Sequence, residues 1–430
     1  MSVESTPIWR LQDAREDSQV PYGNSIDSLD IYKPEIYETI TKEIVVESSK
    51  LRELSLDIHS HPELKFQEIH AHDALTNFLL NRGWDVKRHH LLDTAWVATF
   101  EHGVGGKTLG INSEMDALPG IGHACGHNLI AIAGVAVALG TRAALEKHDI
   151  AGKVILLGTP AEEGGAGKVR LLEMGAYEGM DACLMCHPGP GPKHGAAMRS
   201  SLALQRLDVM YRGHTAHAAL SPWEAQNALD AAVAAYNNIA LLRQQIKPFQ
   251  RVHGVFGGQD WTANIIPDNA TMHWYVRSNT KSEVEELAAR VRGCFEAAAL
   301  ATGCAVEITV TEKLDEVNQN KALGDTFSRT YGGRSGPAEA DYGKITPAST
   351  DFGNITYALP SIHPFYSIPT LPNGGNHTAG FTAAAQSQGG HDATLEVAKA
   401  LALTGVRVLA DADFLAEVKA TFEDSIRKSA

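Results

Sequence analysis

The sequence predicts a two-part α/β protein, an α/β domain interrupted by a ferredoxin-like βαββαβ unit. Three observations predict it. The chain has 430 residues, more than one hydrophobic core ordinarily fills. From Lys107 to Pro188 short apolar runs alternate with helical patterns, the mark of a sheet with helices on its faces. Between about Leu202 and Val310 the order changes to strand, helix, strand, strand, helix, strand, which is the split βαβ arrangement.

Residues 1–40, with Pro7, Pro21 and Pro34, read as an extended N-terminal arm. The first part of the α/β domain spans 41–203. It contains strands Thr108–Asn112, Val154–Gly158 and Ala182–Met185, with helices at Leu129–Lys147 and near Val169–Met174. The longest apolar run, Leu129–Leu139, is too short to span a bilayer and reads as a buried Ala-rich helix. The inserted unit, 204–313, takes strands Leu202–Tyr211, Val252–Phe256, Ala270–Ser278 and Ala305–Val310. Helices Trp223–Ile246 and Glu283–Leu300 separate them, and Ser282 with Glu285 reads as a capping box for the second. Residues 314–430 complete the first domain with a helix, a Gly/Pro/Thr-rich loop stretch from Gly343 to Gly380, and two terminal helices.

Hydrophobic residues make up 44% of the chain and charged residues 20%, an ordinary globular balance. The formal charge of -14 argues against nucleic acid or an anionic membrane as partner and favours a small molecule. Met1–Asp17 contains no apolar h-region, so a soluble, cytoplasmic protein is expected. Five cysteines, an odd number scattered through a large chain, do not make a disulfide framework.

The candidate chemistry lies in the loops. In Gly122–Asn128 a thiol, Cys125, and an imidazole, His127, stand two residues apart in a Gly-flanked turn that opens a helix. Both are good ligands for Zn²⁺, and a helix N-terminus favours the thiolate. After the Val154–Gly158 strand come Glu162 and Glu163. One carboxylate can ligate a metal while its neighbour works as general base on water. Lys168 follows a Gly-rich stretch there, but a phosphate loop would need Gly at Glu162 and Ser or Thr at Val169. Cys183–His187 matches the haem-attachment spacing, yet the cysteines belong to a buried strand, and His187 reads better as a third metal ligand. His377 follows the loop Thr370–Gly375, and one sheet edge can gather all these loops. In the insertion His217, Asn264 and Arg277 suit recognition of a substrate carbonyl and carboxylate.

Together these segments resemble the aminoacylase/carboxypeptidase family of zinc metallopeptidases, in its amidohydrolase branch, over about Ser48–Leu409. The marks are His61-Pro62-Glu63-Leu64, Met115-Asp116-Ala117-Leu118-Pro119, the Cys125/His127 turn, Glu162-Glu163, Gly213–His217, Asn227–Asp230, Asn264–Pro267 and Ser349-Thr350-Asp351. The spelling of Asp116–Asn128 is similar to the sub-branch that holds β-alanyl-lysine dipeptidase and aminobenzoyl-glutamate hydrolase. The resemblance implies a mixed-sheet catalytic domain and an inserted lid and dimerisation domain. It implies two divalent metal ions held by Cys125, His127, Glu163, His187 and His377, Glu162 as catalytic base, and Asp116 supporting the ligands from behind. It further implies a homodimer in which His217 reaches the partner subunit's site while Asn264 and Arg277 bind substrate. Other branches place a ligating His where Glu114 stands and Asp where Asn128 stands, and His363 shares the loop-rich region of His377.

The expected activity is metal-dependent hydrolysis of the amide bond in a small N-acyl amino acid or dipeptide. Zinc suits the thiolate best, with manganese or cobalt as alternatives. Amide-bond formation on the same site and a non-catalytic metal-binding scaffold are the rival readings.

Overall fold

The computed structural model describes residues 31–191, 194–258 and 260–429. The expected arm lies outside the described residues up to residue 30. From Pro34 the chain is already helical, with Pro34 in the first turn, where its missing N–H would have had no partner in any case. This helix, Pro34–Ser60, buries Ile36, Ile40, Ile44, Leu51 and Ile58 and packs on the His127–His148 helix.

The predicted alternation forms a six-stranded mixed sheet. Its spatial order is Asp85–Arg88, Trp96–His102, Gly152–Thr159, Lys107–Glu114, Ala182–Leu184, Ser361–Ile362. The last four run parallel, and the first two pair antiparallel with their neighbours. Helices Pro34–Ser60, His127–His148 and Gln388–Ala410 cover one face, and Gly167–Glu173 with Phe352–Ala358 cover the other. Strand periodicity serves both layers: Val154 and Leu156 face the first, Ile155 and Leu157 the second. The Lys107–Glu114 strand is buried on both sides from Leu109 onward, which is why it shows no alternation of apolar and polar residues. Among the described residues His127–His148 is the helix long and apolar enough to cross a membrane, and 89% of its apolar window is buried inside the protein.

The second sheet is antiparallel, with Ala305–Leu314 beside Ala203–Arg212, then Asn269–Ser278, then Arg251–Gly257. The last strand lying next to the first is the ferredoxin-like order, and helices Ala228–Leu242 and Lys281–Thr302 pack on one face around Trp274, Leu207 and Phe295. Two helix starts differ from expectation. The first helix begins at Ala228 because the Asn227 side chain accepts from the N–H groups of Leu229 and Asp230, and Pro222–Glu224 is a separate 3₁₀ turn. The second is capped by Thr280, not Ser282: Thr280 has the extended backbone of a cap, its Oγ1 accepts from Glu283 N–H, and Ser282 lies inside the helix.

The Gly343–Gly380 stretch holds more structure than loops. It contains the Phe352–Ala358 helix and the strands Ser361–Ile362 and Phe365–Ile368. The latter joins a small sheet in the order Ala338–Ile345, Ala196–Ser200, Phe365–Ile368, His187–Pro190. Strands this short, interrupted by Pro360, Pro364 and Pro369, carry too little alternation to be read from sequence.

Candidate active site

Three neighbouring parallel strands, Lys107–Glu114, Gly152–Thr159 and Ala182–Leu184, end at one edge of the main sheet. The segments leaving them carry Asp116, the Glu162-Glu163 pair and His187, so topology alone gathers these groups. The Cys125/His127 turn closes over the same edge. Its Gly126 has φ +84°, and a Cβ there would stand 2.7 Å from Cγ of Pro188. Glycine therefore lets the turn lie directly against the His187 loop.

Three of the candidate ligands, His187, His127 and Glu163, are held in place by neighbours. His187 Nδ1 donates to the Pro188 carbonyl at 2.8 Å, leaving Nε2 3.4 Å from Cys125 Sγ. His127 Nδ1 donates to Asp116 Oδ1 at 3.0 Å, while Asp116 Oδ2 accepts from Glu163 N–H at 2.8 Å. Asp116 thus fixes both the imidazole and the glutamate loop. His127 Nε2 faces Glu114 at 3.3 Å, Glu162 at 3.9 Å and Glu163 at 4.0 Å. From the far end of the chain, His377 Nε2 approaches Glu163 Oε1 to 3.1 Å, and its backbone N–H donates to the Ala124 carbonyl.

Cys125, His127 and His187 bring one ligand atom each within 4.8 Å of one another, and so do Cys125, Glu163 and His377. The two triads share the sulfur. His127 Nε2 and Glu163 Oε1 are buried with no hydrogen-bond partner, the His377 approach being too poorly aligned to make one. Buried polar atoms are ordinarily satisfied. A thiol, imidazoles and a carboxylate that converge in this way, with one nitrogen and one oxygen left unpaired, fit divalent metal ions.

The electrostatics have the same cause. Burial holds His187 down to about 3, helped by the nearby His127, so its ring is neutral and a ready ligand. Burial pushes the Cys125 thiol up, a tendency that a bound cation would reverse. Burial opposes charge on His127, but Glu114 and Asp116 raise it well above the usual histidine range. Burial, followed by repulsion from Glu114 and Glu163, pushes Glu162 well above the usual carboxylate range.

His363 belongs to neither triad. It is fully buried, stacked on Phe352 with ring centroids 5.4 Å apart, and 5.9 Å from the His187 ring. Asn128 points its amide at Ser55 Oγ and the Ala385 carbonyl, a packing role away from the ligands.

Two groups escaped sequence reading. Lys168, set aside with the rejected phosphate loop, is fully buried, and its Nζ lies 2.5 Å from Glu114 and 2.7 Å from Asp351. Glu68 is also fully buried, accepting from Thr94 Oγ1 and from the N–H of Ala161, whose φ is +58°. The signal for Lys168 was chemical: the carboxylate of Glu114, standing where other branches carry histidine, needs a counter-charge.

Cys125, Glu162, Glu163, His187 and His377 line a cleft of about 2200 Å³, which the inserted unit walls with Arg277. Arg277 reaches across to donate to Ser349 Oγ at 2.9 Å. His217 and Asn264 do not line this cleft; both are exposed on the inserted unit. His217 Nδ1 accepts from the N–H groups of Ala219 and Leu220, which leaves Nε2–H as an outward donor.

A family profile described as peptidase family M20/M25/M40 matches residues 110–401. The chain is 40% identical to a mouse Xaa-Arg dipeptidase, with 95% of this chain and 96% of the relative covered. It is 29% identical to one of the subunits of an Escherichia coli p-aminobenzoyl-glutamate hydrolase, with 67% and 63% covered. A solved Bacillus subtilis dinuclear metal-binding peptidase shares the fold with a TM-score of 0.64 at 21% identity, covering 85% of this chain and 99% of that one.

Proposed function

This chain belongs to peptidase family M20/M25/M40 and is a metal-dependent hydrolase of small amide or dipeptide-like substrates, and from that premise we propose a two-zinc, homodimeric, cytoplasmic dipeptidase that releases a basic C-terminal amino acid. Hydrolysis, rather than condensation or a scaffold role, is the reading its relatives support. The basic residue is suggested by the name of the mouse relative, an Xaa-Arg dipeptidase. Five cysteines standing unbridged accord with a reducing compartment.

One observation carries the mechanism: Glu162 lies beside two ligand triads that share Cys125, in a cleft whose other wall presents Arg277. Cys125, His127, Glu163, His187 and His377 would hold the ions, with Asp116 fixing His127 and the Glu163 backbone. Bound divalent ions supply Lewis acidity toward the substrate carbonyl and toward water. Glu162 accepts the proton of the attacking water and passes it to the leaving nitrogen, a task suited to a carboxyl whose proton affinity burial has raised. Arg277 holds the substrate carboxylate, and Asn264 with the Nε2–H of His217 from the partner subunit's lid steadies the carbonyl.

Glu162→Gln keeps the shape of the loop and removes the base. Its kcat on an Xaa-Arg dipeptide should fall by at least ~10²-fold, while metal content, measured by elemental analysis, stays at the wild-type level. Turnover close to wild type would remove Glu162 from the base role.

A further inference from the structure

The helix-free face of the inserted sheet forms one wall of the cleft and presents Leu204, Arg251, His253, Tyr275, Arg277 and Glu312. Its charged groups are nearly all engaged. Arg277 donates to Ser349, Arg251 to the carbonyls of Pro248 and Gln250, and the nearby Arg206 to Asp208 at 3.1 Å. On the opposite wall Glu339 pairs with Arg199 at 2.6 Å. Glu312 is the exception: it is only 9% exposed, yet among the described residues its side chain has neither a hydrogen bond nor an ion pair within 4.0 Å.

A register shift places it there. The Ala305–Leu314 strand bulges between Val310 and Glu312, so that Glu312 rather than Thr311 stands opposite Arg206. Thr311 instead donates to Asp208. Bulges commonly re-aim a side chain beside an active site. A nearly buried, unpaired carboxylate is costly unless a cation meets it, and Arg206, the nearest candidate in the sheet, is held by Asp208.

We propose that Glu312 recognises the cationic side chain of the leaving amino acid, an inference that rests on reading the cleft as a dipeptidase site. Arg277 and Glu312 lie on the same face two strands apart, with Ala203–Arg212 between them and an offset of two residues along the strands, about 12 Å from backbone to backbone. A C-terminal arginine or lysine spans this gap with its carboxylate toward Arg277 and its side-chain cation toward Glu312. Burial pushes the Glu312 carboxyl up, with Arg206 opposing and Asp351 adding to it; an arriving guanidinium would restore its charge.

The test compares wild-type, Glu312→Gln and Glu312→Lys full-length enzyme on Ala-Arg, Ala-citrulline and Ala-Glu. Citrulline keeps the shape of arginine and removes the charge. Wild type should prefer Ala-Arg, and in Glu312→Gln the ratio of kcat/KM for Ala-Arg over Ala-citrulline should fall about 10- to 100-fold, the range for a hydrogen bond to a charged group. In Glu312→Lys the preference should move toward Ala-Glu. Wild type that cleaves Ala-Arg and Ala-citrulline equally, or a Gln variant with an unaltered ratio, overturns the role of Glu312 and leaves the dipeptidase reading intact. Wild type that cleaves none of the three overturns the dipeptidase reading and this inference with it.

Discussion

Lys168 shows how a single buried charge underpins the site. Its ammonium lies between the carboxylates of Glu114 and Asp351, all three side chains fully buried, and its backbone N–H also donates to Asp351. Removing one member of a buried ion cluster leaves the others uncompensated. Lys168→Met should therefore destabilise the fold by ~3–5 kcal/mol, read by denaturant unfolding of the metal-free protein. Adding Glu114→Gln and Asp351→Asn should return part of the loss. A single variant within ~1 kcal/mol of wild type would show that water, not Lys168, satisfies these carboxylates. The residues that converge on the cleft were legible because cysteine, histidine and paired glutamates in strand-end loops are unusual and sit in short motifs. Lys168 and Glu312 were not, because the reason for each lies across the fold: Asp351 is 183 positions from Lys168, and Glu312 faces the cleft only through a bulge that no local pattern announces.

At the scale of elements, the turn into the His127–His148 helix couples packing to chemistry. Gly126 caps that helix with φ +84°, and its missing Cβ leaves room for Pro188 and Phe381, next to His187. Gly126→Ala should cost more stability than Gly83→Ala, which shares a positive φ of +73° but has nothing within 4 Å of its added Cβ. The excess should be ~1–3 kcal/mol, the usual range for overpacking. It should be accompanied by weaker metal binding in chelator competition, since Cys125 and His187 must separate to admit the methyl group. Equal costs and equal metal affinity for the two variants would mean that the turn relaxes without moving the ligands. The long elements were readable because helical or alternating periodicity persists over ten or more residues. The small sheet containing His187–Pro190 and Phe365–Ile368 was not, since its strands are too short to show a period and pair with partners far along the chain.

At the scale of the whole molecule, the proposed site is divided. Every proposed ligand belongs to the α/β part, while His217 stands exposed on the inserted unit and outside its own chain's cleft. The same unit leaves Leu220, Trp223, Leu241 and Leu300 at least 72% exposed, large apolar side chains that a second copy would cover. The Nδ1 of His217 is occupied by two backbone N–H groups, so its ring offers Nε2–H to whatever lies beyond the lid. A homodimer in which each lid serves its partner's cleft accounts for the exposure, the tautomer and the division together. On this reading His217→Ala should lose turnover and keep its metals. Mixing it in equal amounts with Glu162→Gln should recover activity, because each heterodimer has one cleft with both native groups. With random exchange half the dimers are mixed and half of their sites are whole, so recovery should reach about a quarter of wild type. Exchange is verified independently by native mass measurement of tagged subunits. Verified heterodimers without activity, or a monomer with full turnover, would place the work of His217 within its own chain or outside catalysis altogether.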